Sequence, residues 1–114
     1  PAKFFNRKKP INIYFEVYNL PVKTDQNQDF VITYSVTLLE ERTKGIIKKI
    51  GRIFQKAQPS ISNRVDRFSK TATSVEYIAL DLEKNVPGVY ELQVSAFVPG
   101  LQDTTSRKIK FELE

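Results

Sequence analysis

Two stretches of this chain alternate apolar and polar residues with a period of two, and that period constrains the fold more than any other feature. Over 11–18, INIYFEVY, Ile11, Ile13, Phe15 and Val17 fall on one side and Asn12, Tyr14, Glu16 and Tyr18 on the other. Over 30–39, FVITYSVTLL, the positions Phe30, Ile32, Tyr34, Val36 and Leu38 form the apolar set. Successive side chains of a strand point to opposite faces, so both runs read as half-buried strands. Their aromatic and β-branched content agrees. Asn19-Leu20-Pro21 stops the first run, because proline cannot donate to a ladder.

Four more strands follow in the second half. Residues 61–68 (ISNRVDRF) mix polarity and suit an edge. Residues 74–82 set Ile78, Leu80 and Leu82 against Tyr77 and Ala79, and 89–98 put Tyr90, Leu92, Val94, Ala96 and Val98 on one side. Over 107–113, Ile109, Phe111 and Leu113 point inward, with Lys108, Lys110 and Glu112 outward. Pro99-Gly100 marks a turn before that last strand. Short alternating strands separated by turn residues predict an all-β, immunoglobulin-like antiparallel β-sandwich of about six or seven strands. Residues 1–10 read as a lead-in from an upstream domain and 11–114 as a single sandwich domain. The chain opens at Pro1 and has no Met, so it reads as a piece of a longer protein.

One segment breaks the period. In GIIKKIGRIFQK (45–56) the apolar residues fall at 46, 47, 50, 53 and 54, with Lys48, Lys49, Arg52 and Lys56 on the opposite arc. That is helical spacing, and it predicts a short amphipathic helix over 46–56 inserted between strands. Gly51 weakens such a helix by ~1 kcal/mol relative to Ala.

A second motif is the stretch from Pro87 through Gly88 to Tyr90. Pro87 presets one turn dihedral, and Gly88 is read as supplying a positive φ. Tyr90 enters the next strand just past the corner, placed to bury its ring and return its hydroxyl to nearby backbone, as in the tyrosine corner of Greek-key sandwiches.

The segments FFNRKKPINIYFEVYNL (4–20), KGIIKKIGRIF (44–54), EYIALDLEKNVPGVYEL (76–92) and SRKIKFELE (106–114) resemble the β-sandwich accessory domain found downstream of the bacterial domain named for a Gly-Trp-x-Thr-Asp motif. The naming motif is absent, since the chain has no Trp. The resemblance implies an appended module of an exported, extracytoplasmic bacterial protein, at the periplasm or cell surface, and it carries over no catalytic residues.

The chemistry that remains is narrow. With no Cys and no His, disulfides, thiol nucleophiles, the usual zinc sites and His-based acid–base catalysis are excluded. Asp25, Asn27 and Asp29 match the start of a calcium loop, but the positions requiring Gly and Glu hold Phe30 and Val36. Glu40 and Glu41 are adjacent on a strand and point apart. Asp81 and Glu83 have nothing near them in sequence to raise a pKa, and four scattered glycines cannot build a phosphate loop. No enzyme, metal site or cofactor is expected. No apolar run approaches the roughly 20 residues of a membrane helix.

Charge is unevenly placed. Of 18 Lys and Arg, seven (Arg42, Lys44, Lys48, Lys49, Arg52, Lys56 and Arg64) fall in 42–65, which has no Asp or Glu. The other eleven face all 13 carboxylates, so the net +5 is localised there. A localised positive field favours anionic partners. Phe54 belongs to the apolar arc and no aromatic residue interleaves the lysines, which speaks against nucleic acid. The expected function is therefore a non-catalytic accessory module that docks another domain of its own chain or a protein partner. The first alternative is polyanion or anionic membrane-surface binding through 42–64. The third is glycan binding at Tyr14 and Tyr18, which sit ~13 Å apart along the first strand.

Overall fold

The computed structural model describes residues 3–43, 46–49 and 59–114, with the side chains of 4–42 and 61–114. Every regular element among the described residues is a strand. In chain order these are β1 (Lys3–Phe5), β2 (Ile11–Val17), β3 (Gln28–Thr43), β4 (Ile46–Lys49), β5 (Pro59–Ser69), β6 (Ser74–Leu80), β7 (Gly88–Phe97) and β8 (Thr104–Leu113). Six form one sheet in the order β1-β8-β7-β3-β4, with β5 also on β3, and β2 and β6 form a second sheet of two. All pairings are antiparallel except β1 with β8.

The alternation read from the sequence sets which faces meet. Ile11, Ile78 and Leu80 of the small sheet pack with Val36, Tyr90, Leu92, Phe111 and Leu113 of the large one, and Leu82 joins them. Leu20, Phe30 and Ile32 continue the core, with Phe15 and Val17 against them. This is the two-layer arrangement of a β-sandwich, and each fully buried aliphatic or aromatic side chain contributes about 1.5–3 kcal/mol of transfer free energy. Much of the outward face of the large sheet is polar, with Thr33, Ser35, Gln93, Ser95, Lys108 and Lys110, while the paired Val31 and Phe97 at one end are apolar and Val31 is buried.

β3 organises the large sheet. One of its edges pairs with β7 from Val31 to Glu41. Its other edge takes β5 along Gln28–Thr37 and then β4 along Glu40–Thr43. The β7 register slips between Leu38 and Glu40, so Leu38 stands opposite Tyr90 while Glu40 stands opposite Val89. One extra residue at such a bulge inverts the alternation beyond it. Gly88 opens β7 here, where an added Cβ would collide with the Glu40 carbonyl oxygen. Its φ is not positive, contrary to the reading from sequence. The only positive-φ glycine among the described residues is Gly100, and Gly88 is required by close backbone approach instead.

Three expectations change. Ile46–Lys49 is a strand, so the helix expected from 46 does not begin there, and 50–56 lie outside the described residues. The physical reason is that β3 extends to Thr43 and offers an edge. Register places Lys49 opposite Glu40 and Lys48 opposite Glu41, pairings of opposite charge. A helix this short, carrying Gly51, has little intrinsic stability to set against them. Second, β1, within the segment read as a lead-in, pairs with Phe111–Leu113 of β8, and Phe5 meets Phe111 edge-on at 5.8 Å. Third, Ile109 is not buried. It is 49% exposed, for a reason that defines the site below.

Candidate functional site: an open groove beside β2

The small sheet is narrower than the large one and covers it unevenly. β6 lies toward β5, where Arg67 Nε donates to Glu76 Oε1 across the two layers at 2.8 Å. β2 therefore lies toward β7 and β8. Among the described residues no third strand follows it, and the inner face of β8 runs out from under the upper layer. Between the two lies a groove of about 600 Å³. Its upper wall is β2, with Ile13, Phe15 and Val17, and its floor is Val94 and Ala96 of β7 with Thr105, Arg107 and Ile109 of β8.

The sequence explains this asymmetry. Register puts Ile109 opposite Leu92, Arg107 opposite Val94 and Thr105 opposite Ala96, so all three β8 residues take inward positions. In the other half of β8, Phe111 and Leu113 are buried. The inward side of TTSRKIK thus offers one apolar residue where FEL offers two. Residues 104–110 are held by backbone pairing to β7, and every one of them is exposed.

The rim is polar and aromatic. Tyr14 and Tyr18 both donate their hydroxyls to the Glu16 carboxylate, Tyr14 at 2.5 Å. Tyr14 also meets Tyr77 edge-on at 5.3 Å, and Tyr14, Tyr18 and Tyr77 are exposed. Donation to Glu16 pushes the Tyr14 hydroxyl from its ordinary value of 10.0 to about 12. The same hydrogen bonds raise Tyr18 and hold the Glu16 carboxyl below its usual range. The positive charge of Arg107 acts on Tyr18 in the opposite sense, which places the guanidinium within electrostatic reach of the rim. Arg107 makes no ion pair with another described residue. The two tyrosines do not stand as separate platforms, because their hydroxyls converge on one carboxylate.

The residues singled out from sequence fall elsewhere. Of the basic set, Arg42 is ion-paired with Glu112 and Arg64 with Asp66. Arg64 also lies 6.0 Å from the centre of the Phe97 ring. Lys48 and Lys49 are described by their β4 positions alone. Lys44, Arg52 and Lys56 lie outside the described residues. At the corner, Pro87 offers its carbonyl to the Arg42 N–H at 2.9 Å and Gly88 meets Glu40. Tyr90, buried and stacked on Phe111 at 5.7 Å, donates its hydroxyl to the Val86 carbonyl at 2.5 Å. Burial holds that hydroxyl above its ordinary pKa. Asp81 accepts from the Glu83 N–H at 3.1 Å and so caps its own turn. Asp29, the fifth position of the calcium-like run, is a β3 residue paired with Phe68.

The sequence reading missed the groove. The one signal was that 104–110 carries a single inward apolar residue, Ile109, in a strand otherwise read as core-facing.

Comparison with protein-family models, with curated proteins and with solved structures finds no match. Fold and site together define a class: an all-β chain of two packed sheets, open along one side. No helix among the described residues is long and apolar enough to cross a membrane.

Proposed function

We propose that this chain is a non-catalytic docking module, an immunoglobulin-like accessory sandwich of a larger exported bacterial protein, and that it engages a protein partner through the groove beside β2. The observation that carries the reading is the uncovered inner strip of the large sheet at Val94, Ala96 and Ile109. An apolar strip at core positions, rimmed by polar groups, gains free energy when a partner removes it from water. The likeness to the accessory domain of Gly-Trp-x-Thr-Asp proteins points the same way. In the polyanion alternative, two of the seven cations would first have to give up carboxylates of the chain itself, Glu112 and Asp66.

Site-specific photocrosslinking tests this. A benzophenone side chain at position 109, in the groove, is compared with one at position 110, on the opposite face of the same strand. Repeated capture of one defined protein from 109 and not from 110 supports the reading. Equal capture from both positions, or capture from 110 alone, overturns it.

Glycan contact is a second reading, favoured by the exposed Tyr14, Tyr18 and Tyr77 around a carboxylate acceptor. A glycan-array signal lost in Tyr77→Ala and kept in Ile109→Ala would select it.

A further inference from the structure

We propose that the groove is a strand-addition site. An extended segment of another protein hydrogen-bonds to the free edge of β2 as the third strand of the small sheet, setting alternate apolar side chains on Val94, Ala96 and Ile109 and one carboxylate against Arg107. This rests on the docking reading and specifies the partner's chemistry.

The edge argues for a strand. Among the described residues β2 pairs with β6 alone, and its register over Ile11–Val17 runs seven residues without a bulge. A free edge of that length is normally blunted by lysine, proline, a bulge or extreme shortness. The large sheet follows that rule, since β1 has three residues and β5 carries Arg64, Asp66 and Arg67. β2, with sequence INIYFEV, has no lysine, proline or bulge, and its one charged residue, Glu16, is held by the hydroxyls of Tyr14 and Tyr18. Neighbouring strands lie ~4.8 Å apart and packed sheets ~10 Å apart. The next strand position beside β2 therefore stands over β8, one layer above Thr105, Arg107 and Ile109. A helix, ~10 Å across with its side chains, would leave the β2 amides and carbonyls unpaired.

Charge fixes the composition. Arg107 projects from an inward position and has no acidic partner among the described residues, so the incoming strand supplies one. A second copy cannot supply its own β2. The large sheet beneath that strand would occupy the space that β8 already fills.

The test uses the whole chain and the peptide acetyl-TVTDTVT-amide. The peptide presents Val, Asp and Val on one face and reads the same in both directions, so it can add in either polarity, each polarity turning a different backbone edge toward β2. In an NMR titration, amide shifts are expected at Ile11–Val17, Val94, Ala96, Arg107 and Ile109, with slowed hydrogen exchange in β2. N-methylating the amides of one edge leaves the peptide able to pair with β2 in the reversed polarity, and N-methylating both edges abolishes binding. Replacing the peptide's Asp by Lys weakens binding ~tenfold or more, and Arg107→Glu reverses that preference.

Undiminished binding by the peptide N-methylated on both edges overturns strand addition while leaving a docking groove intact. Shifts confined to other faces, or no binding by any of these peptides at millimolar concentration, overturn it as well. Concentration-dependent protection of β2 without peptide would make a second copy the occupant, again against the proposal.

Discussion

The two lateral sides of this sandwich are finished in opposite ways. On the β5–β6 side, Arg67 reaches across the layers to Glu76, which is almost fully buried and takes a second hydrogen bond from Ser74 at 2.7 Å. On the β2–β8 side, Arg107 has no ion pair among the described residues, although Glu16 lines the same groove, and Ile109 is left half exposed. Both sides carry an arginine at an inward position near the end of the layer. The difference lies in whether the small sheet extends far enough to meet it. A sheet of two strands cannot cover one of six, and the chain spends its upper layer on closing one side.

The largest test of that contrast compares Leu92 and Ile109, which stand opposite each other on β7 and β8. Leu92→Ala removes a buried core side chain and should cost about 2–5 kcal/mol. Ile109→Ala should cost less than ~1 kcal/mol, because water already reaches the side chain. Urea unfolding of the two variants gives both numbers. Equal losses would mean that the groove is closed in solution.

The corner at the well-covered end of β8 comes next. Gly88→Ala forces a Cβ into the Glu40 carbonyl and should destabilise by about 1–3 kcal/mol. Tyr90→Phe deletes the bond to Val86 without changing the packing on Phe111, an effect of about 1 kcal/mol. If Gly88→Ala is neutral, the bulge at Leu38–Glu40 is not the close contact described above.

The arginines supply a matched pair of variants. Arg67→Met strands the buried Glu76 carboxylate and should cost about 1–3 kcal/mol, with Arg67 itself half exposed. Arg107→Met should fall within about 0.5 kcal/mol of the parent chain. A loss at Arg107 equal to that at Arg67 would show that the open side has an internal partner after all.

What could be read in the sequence follows from the same contrast. Where alternation was clean and both layers were present, as at Ile78–Leu80 or Tyr90–Leu92, period two gave the buried face. It placed Ile109 inward correctly and its burial wrongly, because alternation reports which way a side chain points and not whether a second layer stands over it. The run read from sequence ends at Leu39, and what lies beyond could not be extended from it, since the single-residue bulge after Leu38 is invisible to a periodic pattern. At Ile46–Lys49 local spacing favoured a helix, and a long-range edge decided for a strand. The candidate site was harder still. It lies where the described residues place no third strand in the small sheet, and such a gap leaves no motif.

The smallest expected effect is spectroscopic and belongs to the open side. Tyr14 and Tyr18 share the Glu16 carboxylate, so ultraviolet titration should show Tyr14 ionising near 12 and Tyr18 above 10.0. Glu16→Gln should return both toward the ordinary value and remove the small stabilisation that these exposed hydrogen bonds contribute at neutral pH. The signs for stability follow from linkage. The raised Tyr14 value contributes stability that is fully present below about 10 and lost as pH rises through about 12. The lowered Glu16 value contributes stability that is present above 4.5 and lost as pH falls through its lower folded value. Between those windows this rim is indifferent to pH. A strand added along β2 would crowd both hydroxyls, so the same titration repeated with the TVTDTVT peptide bound should move Tyr14 and Tyr18 and leave Tyr90, buried on the other side of the core, where it was.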